Sequence, residues 1–86
     1  MTKSFMIIVV NLRKKEAVNV QKILTEWGCL IRTRLGLHEG VLDQCSDVGS
    51  IILELVGARD KHIELARKLN LLSGVKAQYI EIPVEM

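Results

Sequence analysis

Aromatic side chains are scarce in this sequence, with Phe5, Trp27 and Tyr79 alone among 86 residues. Apolar residues nonetheless make up 49%, so a core has to be assembled from Ile, Leu and Val, a mixture that favours strands backed by amphipathic helices. Cysteine is also sparse. Cys29 and Cys45 are too few for a disulfide framework, and no apolar segment with a small-residue cleavage site marks secretion, so both are expected as reduced thiols in a cytoplasmic protein. An excess of charge of one sign is lacking: 12 basic and 10 acidic residues are interleaved to a net +2, with no basic stripe, which argues against a direct nucleic-acid partner. The longest apolar runs, such as Phe5 to Val10, fall far short of the ~20 residues a membrane helix needs, so no membrane association is expected.

Chemical motifs are missing too. There is no Gly-rich phosphate loop, no Ser-His-Asp set and no nucleophile elbow, so the expectation is a protein that is not an enzyme, with no cofactor indicated. A copper-type metallochaperone needs Cys-x-x-Cys after its first strand, where this chain has Asn11-Leu12-Arg13. An RNA-recognition module needs stacking aromatics, and the segment Ser50 to Val56 has none.

What is present is a clear succession of periodicities. Residues 5–12 form a continuous β-branched run that predicts a strand in need of cover on both faces. Ala17, Val20, Leu24 and Trp27 then recur at helical spacing over 14–27, and Gly28 is expected to end that helix in a left-handed cap. Alternation resumes over 29–38, with Cys29, Ile31, Thr33, Leu35 and Leu37 on one side and Leu30, Arg32 and Arg34 on the other, so that Cys29 is expected as a small buried hydrophobe. A third strand over 50–56 ends at Gly57. A second helix over roughly 60–72 is expected to take Asp60 as N-cap, to carry the stripe Leu65, Ala66, Leu69 and Leu72, and to leave His62 solvated in its first turn. Ser73-Gly74 ends it, and a last strand over 75–82 stops at Pro83.

The order βαββαβ predicts one ferredoxin-like α+β domain spanning residues 1–86. Two right-handed crossovers give a four-stranded antiparallel sheet of order 4-1-3-2 with both helices on one face. The other face is left open. Glu54, Arg32, Arg34 and Lys76 are expected there, but the central first strand must also place either Phe5, Ile7 and Val9 or Met6, Ile8 and Val10 on it, beside Ile52 and Val56. Such side chains forgo about 1.5–3 kcal/mol each in water and form a patch typical of interaction surfaces, so self-association as a dimer or tetramer is expected. The alternative is a curled sheet partly covered by the tail residues Val84 and Met86.

One connection gathers potential ligands: His38, Glu39, Asp43, Cys45 and Asp47. Only His38 and Cys45 are soft donors, so a metal site would need carboxylates or a second subunit, and a solvated loop is the simpler account. Gly36 inside a strand pattern suggests a bulge or a close approach by a partner chain or ligand, and Arg34 could pair with a carboxylate or phosphate. Equally, Arg32 and Arg34 could simply protect an edge strand.

The runs Gly28-Cys29-Leu30-Ile31-Arg32-Thr33-Arg34-Leu35-Gly36-Leu37-His38, Gly49-Ser50-Ile51-Ile52-Leu53-Glu54-Leu55 and Leu72-Ser73-Gly74-Val75-Lys76, with Cys45, resemble the small proteins described as iron-only hydrogenase system regulators. The similarity spans about Phe5 to Ile82. The resemblance implies an ACT-like, ferredoxin-like fold akin to the C-terminal domain of nickel-responsive repressors, oligomeric sheets, and a regulatory or ligand-sensing role. The His-x-His pattern of those repressors is missing, so their metal site does not transfer. The resulting expectation is a non-catalytic module that homo-oligomerises through its sheet and binds a small anion or amino acid near Arg34, Gly36 and His38. The competing expectation is an inter-subunit metal site built from His38 and Cys45.

Overall fold

A computed structural model describes residues 1–38 and 47–85. The chain runs β1 (Thr2–Asn11), α1 (Ala17–Glu26), a 3-10 turn (Gly28–Leu30), β2 (Ile31–His38), β3 (Val48–Leu55), α2 (Arg59–Asn70) and β4 (Val75–Pro83). All four strands join one antiparallel sheet of order β2-β3-β1-β4, which is the expected topology.

Strand β1 sits centrally because its continuous β-branched run can be flanked on both edges. Met6, Ile8 and Val10 point to the helices and are almost wholly buried, whereas Ile7 and Val9 on the opposite face are 39% and 41% exposed. Among the described residues, helices cover one face of the strand and no element packs over the other. The core under the helices is completed by Val20 and Leu24 of α1, Leu65 and Leu69 of α2, and Ile51, Leu53, Leu55 and Val75 of the sheet.

Helix boundaries depart from expectation at two points. Gly28 is not left-handed; the chain tightens into the 3-10 turn after Trp27, whose N–H bonds to the Ile23 carbonyl at 3.0 Å. This turn lifts Cys29 out of the strand and leaves it exposed rather than buried. Asp60 is not the cap of α2 either. Gly57 takes a left-handed φ of 93°, Ala58 is extended, and the helix begins directly at Arg59, so Asp60 lies in the first turn, where its charge favours the helix dipole. Gly74, at φ 77°, ends the turn before β4 as expected.

The largest correction concerns β2. The register shifts between Ile31 and Thr33, making Arg32 the extra residue of a β-bulge. A bulge inverts the alternation beyond it. Ile31 therefore pairs with Leu55 on the helix side, while Thr33 and Leu35 pair with Glu54 and Ile52 on the open side. Arg34 and Gly36, opposite Leu53 and Ile51, end up on the helix side. A bulge, one of the two readings of Gly36, thus falls at Arg32 instead, and Arg34 is not on the open face.

Pro83 is the last residue of β4, and the Val84 N–H bonds to the Met1 carbonyl at 2.7 Å. That bond extends the β1–β4 pairing by one residue; Met86 lies outside the described residues. No helix among the described residues is long and apolar enough to cross a membrane.

Candidate functional site

Two surfaces and one buried cluster stand out. The open sheet face carries Phe5, Ile7 and Val9 from β1, Ile52 from β3, Leu35 from β2, and Ile80 and Ile82 from β4, following the registers Phe5 to Ile80, Ile7 to Ile52 and Leu35 to Ile52. Leu35 and Ile82 are about half exposed at 51% and 50%. Charge is confined to the ends. Lys3 Nζ donates to Glu54 Oε2 at 2.8 Å, and that hydrogen bond holds the Glu54 carboxyl below the usual glutamate range against the opposing effect of desolvation, with the charges of Lys3 and Arg32 assisting. Lys76, opposite Val9, marks the other end.

The helix side holds a groove of about 300 Å³ between α1 and the β1, β3 and β2 strands. Val10, Leu12, Val20 and Ile51 form its apolar walls, Gln21 contributes a polar group, Ser50 borders it, and Gly36 and Gly49 line it without side chains. The groove exists because two neighbouring strands each present a glycine beneath α1. Arg34 occupies the same helix-side row as Gly36, two residues earlier.

The buried cluster centres on His62, which is 2% exposed and not solvated as its position in the first helical turn suggested. Its Nε2 lies 2.8 Å from the Val56 carbonyl oxygen and its Nδ1 3.2 Å from the Tyr79 hydroxyl. A carbonyl only accepts, so Nε2 carries the hydrogen, which leaves Nδ1 of the neutral ring facing the Tyr79 hydroxyl as an acceptor. The Tyr79 hydroxyl also lies 3.2 Å from Ser4 Oγ. Burial pushes the Tyr79 phenol pKa up; Ser4 opposes that shift, and the Glu81 carboxylate adds to it. Glu81 itself is held low, first by the Tyr79 hydroxyl and then by Arg59. Both ring nitrogens of His62 are committed, which makes this a structural joint between α2, β4 and the end of β3. Its sequence signal was the spacing His62, Leu65, Leu69, which puts the histidine in the buried row of the helix.

Of the residues expected to form a site, Arg34 and Gly36 do share one row of β2. His38 pairs with Gly49 along the ladder, but its side chain, and Cys45 altogether, lie outside the described residues. Asp47 forms an ion pair with Arg13 at 2.6 Å. Among the described residues no three His, Cys, Asp or Glu side chains converge to hold a metal ion.

No family model and no curated protein matches the sequence. Solved structures do. The chain is similar to the uncharacterized protein TM1266 from Thermotoga maritima, with 25% identity over 96% of this chain and 100% of that one, at a TM-score of 0.77. It is also similar to the ACT domain from the GTP pyrophosphokinase of Chlorobium tepidum, with 18% identity over 99% and 89% of the two chains at a TM-score of 0.57. CPII, a nitrogen regulatory PII-like protein from Thiomonas intermedia K12 bound to ADP, AMP and bicarbonate, aligns over 100% and 98% with 14% identity and a TM-score of 0.52. The fold is ferredoxin-like, of the kind ACT domains have.

Proposed function

We propose that the chain is a non-catalytic regulatory module that assembles with copies of itself through the open face of its sheet and responds to a small molecule. The observation that carries this is the uncovered apolar face, where Ile7, Val9, Leu35 and Ile82 stand 39%, 41%, 51% and 50% exposed. Four strands ~4.8 Å apart and roughly seven residues long present roughly 400 Å² of projected face. Side-chain relief adds to that area, bringing it near the roughly 500 Å² per partner at which stable association begins.

Edge-to-edge pairing through β4 is the less favourable route, because that edge is blunted. Asn70 Nδ2 donates to the Ala77 carbonyl at 2.9 Å while its Oδ1 accepts the Ala77 N–H at 2.8 Å, and Pro83 has no N–H to offer. Charge at the ends of the patch and apolar side chains in its middle match the usual anatomy of an interface. The sensing part of the proposal draws support from the ACT and PII-like structures that share the fold, one of them bound to nucleotides and bicarbonate, and from the resemblance to hydrogenase system regulators.

The test is a Val9→Lys, Ile52→Lys double variant in size-exclusion chromatography with light scattering. The native chain should elute at a multiple of 9.7 kDa, and the variant as a monomer with an unchanged circular dichroism spectrum. A native chain that is already monomeric at 100 μM contradicts the assembly.

A further inference from the structure

We propose that the groove beneath α1 is the binding site for a small aliphatic carboxylate, with the hydrocarbon tail above Gly36 and the carboxylate on Arg34. This inference deepens the sensing function proposed above and rests on it.

Gly36 is the starting point. A glycine inside a strand costs roughly 0.5–1 kcal/mol relative to alanine, and such a residue usually answers a local need. None is found here. Among the described residues the positive-φ glycines are Gly57 and Gly74, and the bulge of β2 falls at Arg32. A Cβ built on Gly36 meets no described atom within 4 Å. Among the described residues, backbone conformation and crowding therefore leave its identity unexplained, and what a side chain there would consume is the space of the groove. Gly49, on the adjoining strand, extends the same floor, where a Cβ would make ordinary contact with the Leu12 side chain at 3.6 Å.

The walls select the ligand. A volume of about 300 Å³ lined by Val10, Leu12, Val20 and Ile51 suits a short branched or straight hydrocarbon and lies at the lower limit for small-molecule sites. Arg34 supplies the charge. It lies on the same side of β2 as Gly36, ~7 Å along the strand. Arg13, Arg59 and Arg67 are each engaged with a carboxylate, on Asp47, Glu81 and Glu64 respectively, while Arg34 has no such partner among the described residues. Its planar fork can take a carboxylate through two parallel hydrogen bonds. Gln21, at the rim, offers an amide oxygen that would accept from an α-ammonium group, so an aliphatic amino acid and its 2-oxo acid share the required chemistry.

The experiment is an amide NMR titration of the full chain with leucine, 4-methyl-2-oxopentanoate and 4-methylpentanoate, each to 10 mM. At least one should saturate with shifts centred on Val20, Gln21, Gly36 and Gly49, and the preferred compound reports whether Gln21 reads an ammonium. Arg34→Gln should weaken binding about tenfold. Gly36→Val should abolish it while the melting temperature is held or raised, and Gly36→Ala should fall between. Absence of saturable shifts at these amides with all three compounds, or undiminished binding by Gly36→Val, overturns the assignment. A melting-temperature rise with nucleotides or bicarbonate alone would refute the groove while leaving small-molecule sensing intact; no response to any compound would contradict both.

Discussion

Gly74 and Gly36 show how differently two glycines can serve a chain. Gly74 adopts φ +77°, and a Cβ there would come within 2.6 Å of Lys14 Cγ and 3.2 Å of Asn11 Cβ. Gly74→Ala should therefore destabilise the fold by about 1–2 kcal/mol, whereas Gly36→Ala should be neutral or stabilising by up to about 1 kcal/mol. Urea denaturation of the two variants checks the contrast. His62 is a second residue whose role is internal. His62→Leu leaves the Val56 carbonyl without its His62 donor and takes one of its partners from the Tyr79 hydroxyl, which keeps Ser4 Oγ, at an expected cost of about 1–3 kcal/mol, and Tyr79→Phe should cost less because His62 keeps its bond to Val56. Equal and negligible losses would contradict the joint. The buried row His62, Leu65, Leu69 was visible in the sequence, but histidine is common enough at the surface that spacing alone did not decide it.

At the scale of elements, ion pairs tie strands and helix together, and their pH dependence is fixed in sign. Lys3–Glu54 bridges β1 and β3, and Arg59–Glu81 bridges α2 and β4. Both carboxyls sit lower in the folded chain than the ordinary glutamate value of 4.5. A carboxyl with a lowered folded pKa contributes stability above its unfolded value and loses it as pH falls through the folded one. Stability should thus be flat from pH 7 to 5 and decline below about pH 4.5, with Lys3→Met removing part of the decline; urea midpoints measured across that range should show both. The strands and helices themselves were legible because their periods differ. The phase of β2 was not: alternation over 29–38 gives a face only if no residue is inserted, and the bulge at Arg32 exchanged Arg34 for Leu35 on the open side. Arg34 and Gly36 were still singled out together, since residues two apart on a strand share a side whichever side that is. Nothing in the spacing around Gly36 indicated that α1 would roof it with a groove.

For the whole molecule, the strand order and the presence of an uncovered apolar face followed from the βαββαβ succession and from the length of the β1 run. The identity of the exposed set, Phe5, Ile7 and Val9 rather than Met6, Ile8 and Val10, required the register. The two proposed activities use opposite sides of the sheet, so ligand in the groove and a second copy on the open face do not compete for space. The most direct measurement is methyl NMR of the native chain at 100 μM with a soluble paramagnetic agent. Ile7, Ile52, Ile80 and Ile82 should be shielded to nearly the degree of the core residues Ile8 and Ile51. Broadening as strong as that of Ile63, which is 45% exposed on α2, would show the face wet in solution and contradict the account.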